Sequence, residues 1–402
     1  MKPGTAQNLC YGAVLVMAVI ATIGLHAQTP ADTQPARFIL QKDFDDLTRS
    51  AGKIRKEEVP AFEQRASGGD PQLQLVLGTL YQQGCGTVSS DIKTALNWYH
   101  KAADQGSSMA LNQIGVHYDA GSGRDKAQAL QWYRRAAERG DNAVAEHNLG
   151  EMLTESGQPK DLAEGLVWLR RSVQHGFDRS IDDLLALYEN GRALPGKSLA
   201  ENQKAGLDLL QGWADQGNAT AQIGLAMAYW KDLLGTGKRP TEAIEWMTKA
   251  ADKSADAEAY LGWFRSQETG VSTRNDEAVR WYRKSAEHGS ALGQTQLAYV
   301  YEHGLGVPKD PAEAARWTQL AAEHGDPAAR YHLAEMYESG RGVRKDKVTA
   351  LMWFILAQAA GAPDFMRELH PSWQPGGFAF YRHPYKKDYE EANRRAEQRL
   401  CL

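Results

Sequence analysis

The feature that most constrains this chain is a period of about 36 residues. A Leu or Ile returns eight times, at spacings of 37, 35, 35, 41, 36, 36 and 36 residues, and Gly or Ala follows it in all units but the fourth. The positions are Leu77, Ile114, Leu149, Leu184, Leu225, Leu261, Leu297 and Leu333. A unit of this length has room for two helices, whose apolar faces need neighbouring units to cover them. The period predicts an all-α stack of eight two-helix repeats.

A second set of landmark residues recurs with the same period as the first. Near the middle of the second helix lies a Trp, or Leu209 in the fourth unit: Trp98, Trp132, Trp168, Trp246, Trp281, Trp317 and Trp353. Eight residues later comes Ser254 in the fifth unit and, in the others, Gly106, Gly140, Gly176, Gly217, Gly289, Gly325 and Gly361. Glycine is expected where a helix ends in a left-handed residue. Asp310, just before Pro311, and Asp161 have the pattern of helix N-caps.

The N-terminus has the pattern of an export signal. Residues 9–25 form a 17-residue run without charge, which follows Lys2 and precedes a small residue, Ala27. Such a run before a small-residue cleavage site predicts a signal peptide over residues 1–27. An uncleaved N-terminal anchor is the alternative, because 17 apolar residues approach the lower limit for a spanning helix.

Charge and cysteine content limit the partners and the bonding. The net charge of −4 at pH 7 gives no basic excess to attract nucleic acid or an anionic membrane surface. The three cysteines are Cys10 in the apolar run, Cys85 in the first unit and Cys401 near the end. In a stacked array the last two should lie farther apart than the roughly 7 Å between Cα atoms that a disulfide tolerates.

Segments on either side of the repeats are predicted to cap the stack. Residues 28–69 combine a leader with a helical stretch over Asp43–Ser67, residues 70–361 hold the eight units, and residues 362–402 follow. The last segment joins an aromatic loop, Ala362–Tyr385, to a helical pattern over Lys387–Leu400. Tyr389, Ala392, Ala396 and Leu400 form one stripe of that helix.

The seventh unit resembles the Sel-one-like repeat (SLR), a relative of the tetratricopeptide repeat. It carries the repeat's pattern at Leu297, Ala298, Tyr301, Gly304, Gly306, Val307, Asp310, Ala314, Trp317, Ala321, Ala322 and Gly325, and the eighth unit matches nearly as well. The resemblance covers residues 70–361. It implies a right-handed superhelical solenoid that holds protein partners, often in exported or envelope-associated bacterial proteins. A cysteine-rich branch associated with lactam binding carries paired cysteines, which this chain lacks.

One stretch matches a nucleotide-binding motif. Gly191–Ser198 fits the P-loop pattern, whose chemistry needs a strand before the loop and a helix that starts at Lys197 and Ser198. The preceding residues, 181–188, align instead with the first helix of the other units. This favours an ordinary loop between two helices.

Histidines and nucleophiles show no catalytic or metal-binding spacing. The chain contains no His-Glu-x-x-His and no Gly-x-Ser-x-Gly. His175, His288 and His324 each precede a helix-ending Gly, where a side chain can bond to free carbonyls and favour the helix dipole. The sequence therefore predicts no catalytic residue, no cofactor and no metal.

The inner face of the stack is the predicted partner site. By analogy with tetratricopeptide units, residues two before and two after each landmark Leu, with others one turn away, line a concave groove. Later units place Trp230, Trp263, Tyr299, Glu302, Tyr331, Glu335 and Glu338 there, and earlier units His147, Glu151, Arg179, Asp182 and Glu189. Aromatic anchors beside carboxylates suit a peptide with apolar and basic side chains. The alternative is that the aromatics pack between first helices and are mostly buried.

These observations predict a non-catalytic interaction scaffold, exported to the periplasm or surface of a bacterial cell. Its expected partner is a protein or peptide, with no nucleic acid and no membrane association after signal cleavage. The alternative is an enzyme or nucleotide-binding protein, based on residues 191–198 or on an envelope-polysaccharide or lactam activity. The sequon Asn218-Ala219-Thr220 leaves a eukaryotic secretory host open.

Overall fold

The computed structural model describes residues 43, 51, 54, 56–84, 88–120, 124–268, 276–359 and 386–400. The regular structure of these residues is α-helical, with two short 3₁₀ turns at Lys56–Glu58 and Leu233–Gly235. The predicted signal peptide, the leader and the aromatic loop lie outside the described residues.

The helices follow one another in pairs, which is the arrangement that the period predicts. A leading helix, α1, spans Val59–Ser67. The pairs are α2 (Pro71–Gln83) and α3 (Ile92–Asp104), α4 (Ser108–Ala120) and α5 (Lys126–Ala137), α6 (Ala143–Glu155) and α7 (Pro159–Gln174), α8 (Ser180–Glu189) and α9 (Leu199–Asp215), and α10 (Ala219–Lys231) and α11 (Pro240–Ala251). They continue as α12 (Ala255–Glu268) and α13 (Asp276–Glu287), α14 (Ala291–His303) and α15 (Pro311–Glu323), and α16 (Pro327–Ser339) and α17 (Lys347–Ala359), before the last helix, α18 (Lys386–Leu400). We call the first helix of a pair the A helix and the second the B helix.

The described chain divides within α11, between Ala243 and Ile244, into two units with their own internal contacts. The N-terminal unit contains α1 to α10, with cores built around Leu77 and Trp98 and around Ile114 and Leu149. The C-terminal unit contains α12 to α18 and has corresponding cores. All eight landmark residues are almost fully buried, and five of them, Leu77, Ile114, Leu149, Leu297 and Leu333, belong to these clusters.

The small residue after each landmark lets the two helices of a pair approach closely. A Cβ atom added to Gly78 would lie 2.4 Å from the ring of Tyr99, and one added to Gly115 would lie 2.6 Å from the ring of Tyr133. The same contact joins Gly262 to Tyr282 at 2.7 Å. The B-helix residue after the landmark Trp therefore fills the space that the missing side chain leaves.

The predicted helix boundaries that lie in described residues are confirmed, except for the N-cap predicted at Asp161. The six described glycines have φ between 77° and 93°: Gly106, Gly140, Gly176, Gly217, Gly289 and Gly325. Asp310 caps α15, because its carboxylate accepts from the amides of Ala312 and Glu313. The prediction for Asp161 was wrong: α7 begins at Pro159, so Asp161 lies in its first turn. Proline at the first helical position sets the start earlier than the acidic residue suggests.

The last helix covers the end of the C-terminal unit. It spans Lys386–Leu400, one residue longer than the predicted stretch, and packs on α17. Ala392 and Ala396, two members of the predicted apolar stripe, are fully buried there in a cluster that includes Leu351 and Leu356. Nothing is described of the other two members, Tyr389 and Leu400, beyond their place in the helix.

Candidate partner-binding site

Tyr299 is the most exposed aromatic of the predicted partner face. It lies on α14, 52% of its surface is accessible, and its ring lies 4.1 Å from that of His303, one turn later. His303 in turn contacts the Tyr299 carbonyl through Nδ1 at 2.9 Å. An exposed ring held by a neighbour costs little entropy on binding, which suits a contact anchor.

The two predicted tryptophans are less accessible than Tyr299. Trp263 is half-buried on α12, where it lies against the cluster that contains Tyr282 and Leu297, and its ring lies 5.5 Å from that of Phe264. Trp230 is half-buried near the end of α10, in the other unit. The sequence allowed two alternatives, aromatics exposed in a groove or aromatics buried between first helices. Both occur on this face, because Tyr299 is exposed and Trp263 also packs against the core.

Glu302 carries two partners within the chain. Its carboxylate lies 2.8 Å from Nε2 of His332 and 3.0 Å from the guanidinium of Arg341. His332 also approaches Glu335 at 3.4 Å through Nδ1. The bond to Glu335 and the charge of Glu302 raise the pKa of His332 against the effect of burial. The sequence did not predict His332 or Arg341 in this network, because their 30- and 39-residue separations from Glu302 match no local motif.

Tyr331 and the remaining acids form the next part of the face on α16. The Tyr331 ring packs edge-on against Phe354 at 5.1 Å. Burial, together with the charges of Glu335 and Glu338, raises the pKa of its hydroxyl to about 12. Glu335 and Glu338 are themselves half-buried. Aromatic and carboxylate groups thus lie on successive A helices of the C-terminal unit.

In the N-terminal unit the structure corrects one predicted lining residue. His147 is only 3% exposed and packs its ring 4.9 Å from Phe177, so it does not line an open groove. Glu151 and Glu189 are half-buried, while Arg179 and Asp182 are exposed. The hydroxyls of Ser180 and Ser172, which accommodate the buried ring, give no periodic signal in the sequence.

The three helix-ending histidines have structural partners that the sequence did not reveal. Nδ1 of His175 lies 2.7 Å from Glu146, that of His288 lies 2.9 Å from Glu258, and that of His324 lies 2.8 Å from Gln294. Each partner lies in the first turn of the A helix, 29 or 30 residues earlier, and is almost fully buried. The histidines therefore tie the end of a B helix to the start of its A helix, rather than serving mainly the helix carbonyls.

The stretch that matches the P-loop pattern does not have the geometry of one. A helix, α8, precedes it, and the Ser198 hydroxyl caps α9 by accepting from the Glu201 amide. Lys197 forms an ion pair with Glu201 at 3.1 Å, and Asn202 accepts from the Leu194 amide at 2.7 Å. The residues that would hold phosphate are used to fix the loop on the next helix.

We expect Mg²⁺-ATP to leave the melting temperature of the native chain unchanged. We also expect Lys197→Ala to shift that temperature by less than about 1 °C, because Lys197 and Glu201 are both exposed. Differential scanning fluorimetry with and without nucleotide checks both. A true site at a hundredfold excess of ligand over Kd would add about 2.7 kcal/mol, so a clear upward shift would restore the nucleotide hypothesis.

A His–Ser–acid grouping in the N-terminal unit is not built as a nucleophile. Nδ1 of His147 lies 3.0 Å from the Ser180 hydroxyl, but Ser180 is fully buried and lies in hydrogen-bond contact with Ser172. A substrate could not reach that oxygen. Within the described ranges, no group of three or more His, Cys, Asp or Glu side chains could hold a metal ion. The same residues include no helix with the length and apolarity needed to cross a bilayer.

The comparisons with known proteins agree with the repeat architecture. The Sel1 repeat pattern matches seven segments, at residues 71–107, 108–141, 143–177, 219–254, 255–290, 291–326 and 327–361. Together these cover more than half of the chain. The chain belongs to the Sel1 repeat family. The interval 178–218, between the third and fourth matched Sel1 repeats, holds α8, α9 and the long loop between them.

Relatives of this Sel1 repeat chain include larger eukaryotic proteins and solved bacterial structures. It is 28% identical over 305 residues to chitin synthase regulatory factor 3 of Schizosaccharomyces pombe, and 26% over 272 residues to the Arabidopsis thaliana ERAD-associated E3 ubiquitin-protein ligase component HRD3B. These alignments cover 72% and 67% of the chain but only 32% and 39% of those relatives. The chain thus spans about a third of their length.

Two solved structures are similar to it. One is a protective antigen with an SLR fold, present in uropathogenic Escherichia coli strains. It is 30% identical, the match covers 86% of this chain and 72% of that chain, and the TM-score is 0.44. The other is a Sel1 repeat protein from Oxalobacter formigenes. It is 25% identical, the match covers 85% of this chain and 98% of that chain, and the TM-score is 0.43.

Proposed function

We propose that this Sel1 repeat protein is a non-catalytic scaffold of the bacterial cell envelope, which holds a protein or peptide partner along the A-helix face of its C-terminal unit. The observation that carries the proposal is the exposed ring of Tyr299 between half-buried Trp263 and Tyr331 on neighbouring A helices. Rigid aromatic rings on a preformed surface bind a peptide with little loss of conformational entropy.

The polar groups of this face favour a partner with apolar and basic side chains. Glu335 and Glu338 lie near Tyr331, close enough for their charges to raise the pKa of its hydroxyl. Glu302 is already neutralised in part by His332 and Arg341, so we assign it to holding α16 and the following loop in place. Basic side chains of the partner would meet the negative charge of the carboxylates on this face, Glu335 and Glu338 among them.

The relatives support the class of function. Two of them carry names that describe a regulatory factor and a component of a ubiquitin ligase assembly, respectively, and neither name describes a catalyst. The envelope location is supported by the uncharged run at residues 9–25. The sequon gives no support to a glycosylating host, because the amide of Asn218 donates to Asp178 at 2.7 Å and its oxygen caps α10.

We expect Tyr299→Ala to reduce recovery of the partner to about a tenth while changing the melting temperature little, because the ring is exposed. The full chain, tagged at its C-terminus and recovered from the periplasm of a bacterial host, is used to capture partners from envelope extract. Captured proteins are quantified by mass spectrometry and the leading candidate is titrated by calorimetry. Trp263 is kept native because its loss would also disturb the core.

Val167→Ala is the matched control, since Val167 is exposed to a similar extent on the B helix α7. A partner that is lost equally with both variants, or with neither, would contradict the assignment of the face. Retention of the tagged chain in the cytosol would contradict the envelope location, independently of the binding result.

A further inference from the structure

A second surface, on the A helices of the N-terminal unit, carries a group of neighbouring carboxylates. Asp119 on α4, Glu151 and Glu155 on α6, and Asp183 on α8 form what we call the carboxylate patch. They are close enough that the charges of Asp183, Glu155 and Asp119 all act on Glu151. The patch thus runs across three successive helix pairs.

The cations nearby leave the centre of the patch unpaired. Lys126 pairs with Glu155 at 3.4 Å, at one edge. Arg179 is exposed and influences Glu151 and Asp183, yet among the described residues it forms no ion pair with either. His147 lies near both carboxylates, with Nε2 at 3.7 Å from Glu151 and Nδ1 at 3.5 Å from Asp183. The Oδ2 atom of Asp183 is buried without a hydrogen bond.

The hydrogen bonds of His147 fix which of its nitrogens carries the proton. The Ser172 hydroxyl donates to the Ala143 carbonyl at 2.7 Å, because a carbonyl can only accept. Ser180 therefore donates to Ser172, at 3.0 Å, and accepts from Nδ1–H of His147, also at 3.0 Å. This relay gives the two hydroxyls and Nδ1 a partner each, and it leaves Nε2 without a proton.

Nε2 of this imidazole forms no hydrogen bond with the part of the chain that the structure describes, and it lies on the side of the patch. It faces the Glu151 carboxylate at 3.7 Å, a distance too long for a hydrogen bond between them. The ring stays neutral because burial and the charge of Arg179 lower the pKa of His147 to about 3. When Glu151 is ionised, two acceptors face one another, and a donor placed between them would bond to both.

The carboxyl groups of the patch resist ionisation because they are partly buried next to one another. Burial, with the charges of Asp183 and Glu155, raises the pKa of Glu151 to about 7. Burial raises the pKa of Asp183 to about 6, against the opposing charge of Arg179. The pKa of Asp119 is raised by burial, although Lys126, Arg124 and the Tyr133 hydroxyl favour its charged form. A cation bound here would lower the pKa of all three carboxyl groups.

We propose that the carboxylate patch binds a basic segment of a partner protein, with an arginine guanidinium donating to Glu151 and to Nε2 of His147. A guanidinium offers five donors in a planar fork, so it can satisfy a carboxylate and a neighbouring acceptor together, whereas an ammonium acts as a compact point charge. The patch lies in a different unit from the face around Tyr299. The inference is therefore independent of the function proposed for that face.

The test compares short peptides on the full chain. Acetylated, amidated tetra-arginine, tetra-lysine and tetra-glutamate are titrated by calorimetry at pH 7.5 and low salt. We expect tetra-arginine to bind and the double variant Glu151→Gln/Asp183→Asn to weaken it at least about tenfold. Asp104→Asn/Glu138→Gln is the control, because it removes the same charge from exposed positions in the same unit.

Three results would overturn the proposal. An equal loss of affinity with the control pair would mean that only net charge matters. Absence of tetra-arginine binding to the native chain would show that the carboxylate patch is not a binding site for arginine. Tetra-lysine binding as tight as tetra-arginine would contradict the guanidinium geometry.

The pH dependence separates a binding patch from a structural one. A cation lowers the pKa of the carboxylates, so affinity for tetra-arginine should rise about tenfold between pH 5.5 and pH 8, as Glu151 and Asp183 ionise. A carboxyl whose pKa is raised on folding favours the folded state while protonated, and this contribution is lost as the pH rises through about 7. The pKa values of Asp119 and the exposed Asp182 are also raised by burial, and the positive charges of Arg179, Arg124 and Lys126 act on the carboxyl groups of the patch.

The variant Glu151→Gln/Asp183→Asn should therefore bind more weakly and yet be more stable. Relative to the native chain, we expect its melting temperature to be higher by about 1–3 °C at pH 8 and unchanged at pH 5. A variant that is less stable at pH 8 would show that these carboxylates support the fold instead, and would overturn the assignment.

Discussion

Gly78→Ala should destabilise the first helix pair by about 2 kcal/mol, a large effect for one added methyl group. The new Cβ would lie 2.4 Å from the ring of Tyr99, which is fully buried and whose hydroxyl donates to Gln82 at 2.6 Å. The ring cannot move away without losing that bond and its packing, so α2 and α3 must separate. Guanidinium unfolding, with hydrogen exchange followed in peptides from α2 and α3, measures the loss.

Gly212→Ala should change stability in the opposite direction. Gly212 lies inside α9, and a Cβ added there would meet nothing within 4 Å. Alanine restricts the unfolded chain and favours the helix, so this variant should gain about 0.5–1 kcal/mol. Equal effects of the two substitutions would contradict the close helix approach at Gly78.

A double-mutant cycle tests whether the ring of Tyr99 is the cause. In the seventh of the eight units, Ala298 has the position that Gly78 has in the first, and Thr318 has the position of Tyr99. Tyr99→Thr alone should be strongly destabilising, because it removes a buried ring. Added to that variant, Gly78→Ala should cost at least about 1 kcal/mol less than in the native chain. Additive effects would place the strain elsewhere.

The repeat architecture could be predicted because its signals are local or periodic. The left-handed glycines and the cap at Asp310 depend on backbone conformation within a few residues, and the sequence identified them. The expanded loop of the fourth unit was likewise visible as a 41-residue spacing. Asp161 was misplaced because two start signals, Pro159 and an acid, lie two residues apart and only one can begin the helix.

The candidate surfaces were less predictable because exposure depends on neighbours far along the chain. Trp263 and Tyr299 hold the same position, two residues after the landmark Leu, yet only Tyr299 is exposed. Trp263 adjoins a core that contains Leu297, one repeat later. His147 was expected to line a groove, but the serines that receive it lie 25 and 33 residues away. No single-sequence pattern relates such positions.

Glu258→Ala should cost about 2–4 kcal/mol, whereas Glu258→Gln should cost less than about 1 kcal/mol. Glu258 is 1% exposed and joins α12 to the end of α13, through Lys284 at 3.0 Å and His288 at 2.9 Å. Alanine removes the buried acceptor and leaves a cavity between the two helices, while Lys284 and His288 lose their partner.

Glutamine should be tolerated because three other units already use it at this position. Gln294 accepts a contact from His324 at 2.8 Å and donates to the carbonyl eight residues before it, that of Ala286. Gln74 and Gln222 donate in the same way, to Ala66 and Ala214. In Glu258→Gln the new amide should donate to the carbonyl of Ala250, which replaces part of the lost ion pair with a neutral hydrogen bond.

Urea unfolding of the two variants, beside Glu245→Ala at an exposed position on α11, measures the difference. The control should change the free energy of unfolding by less than about 0.5 kcal/mol. If Glu258→Gln were as damaging as Glu258→Ala, the contact would require charge, and the equivalence of Glu and Gln across the repeats would be wrong. If both were neutral, the ties between the histidines and the A helices would contribute nothing to the stack. The expected order, with only alanine damaging, follows from a buried position that needs an acceptor but not a charge.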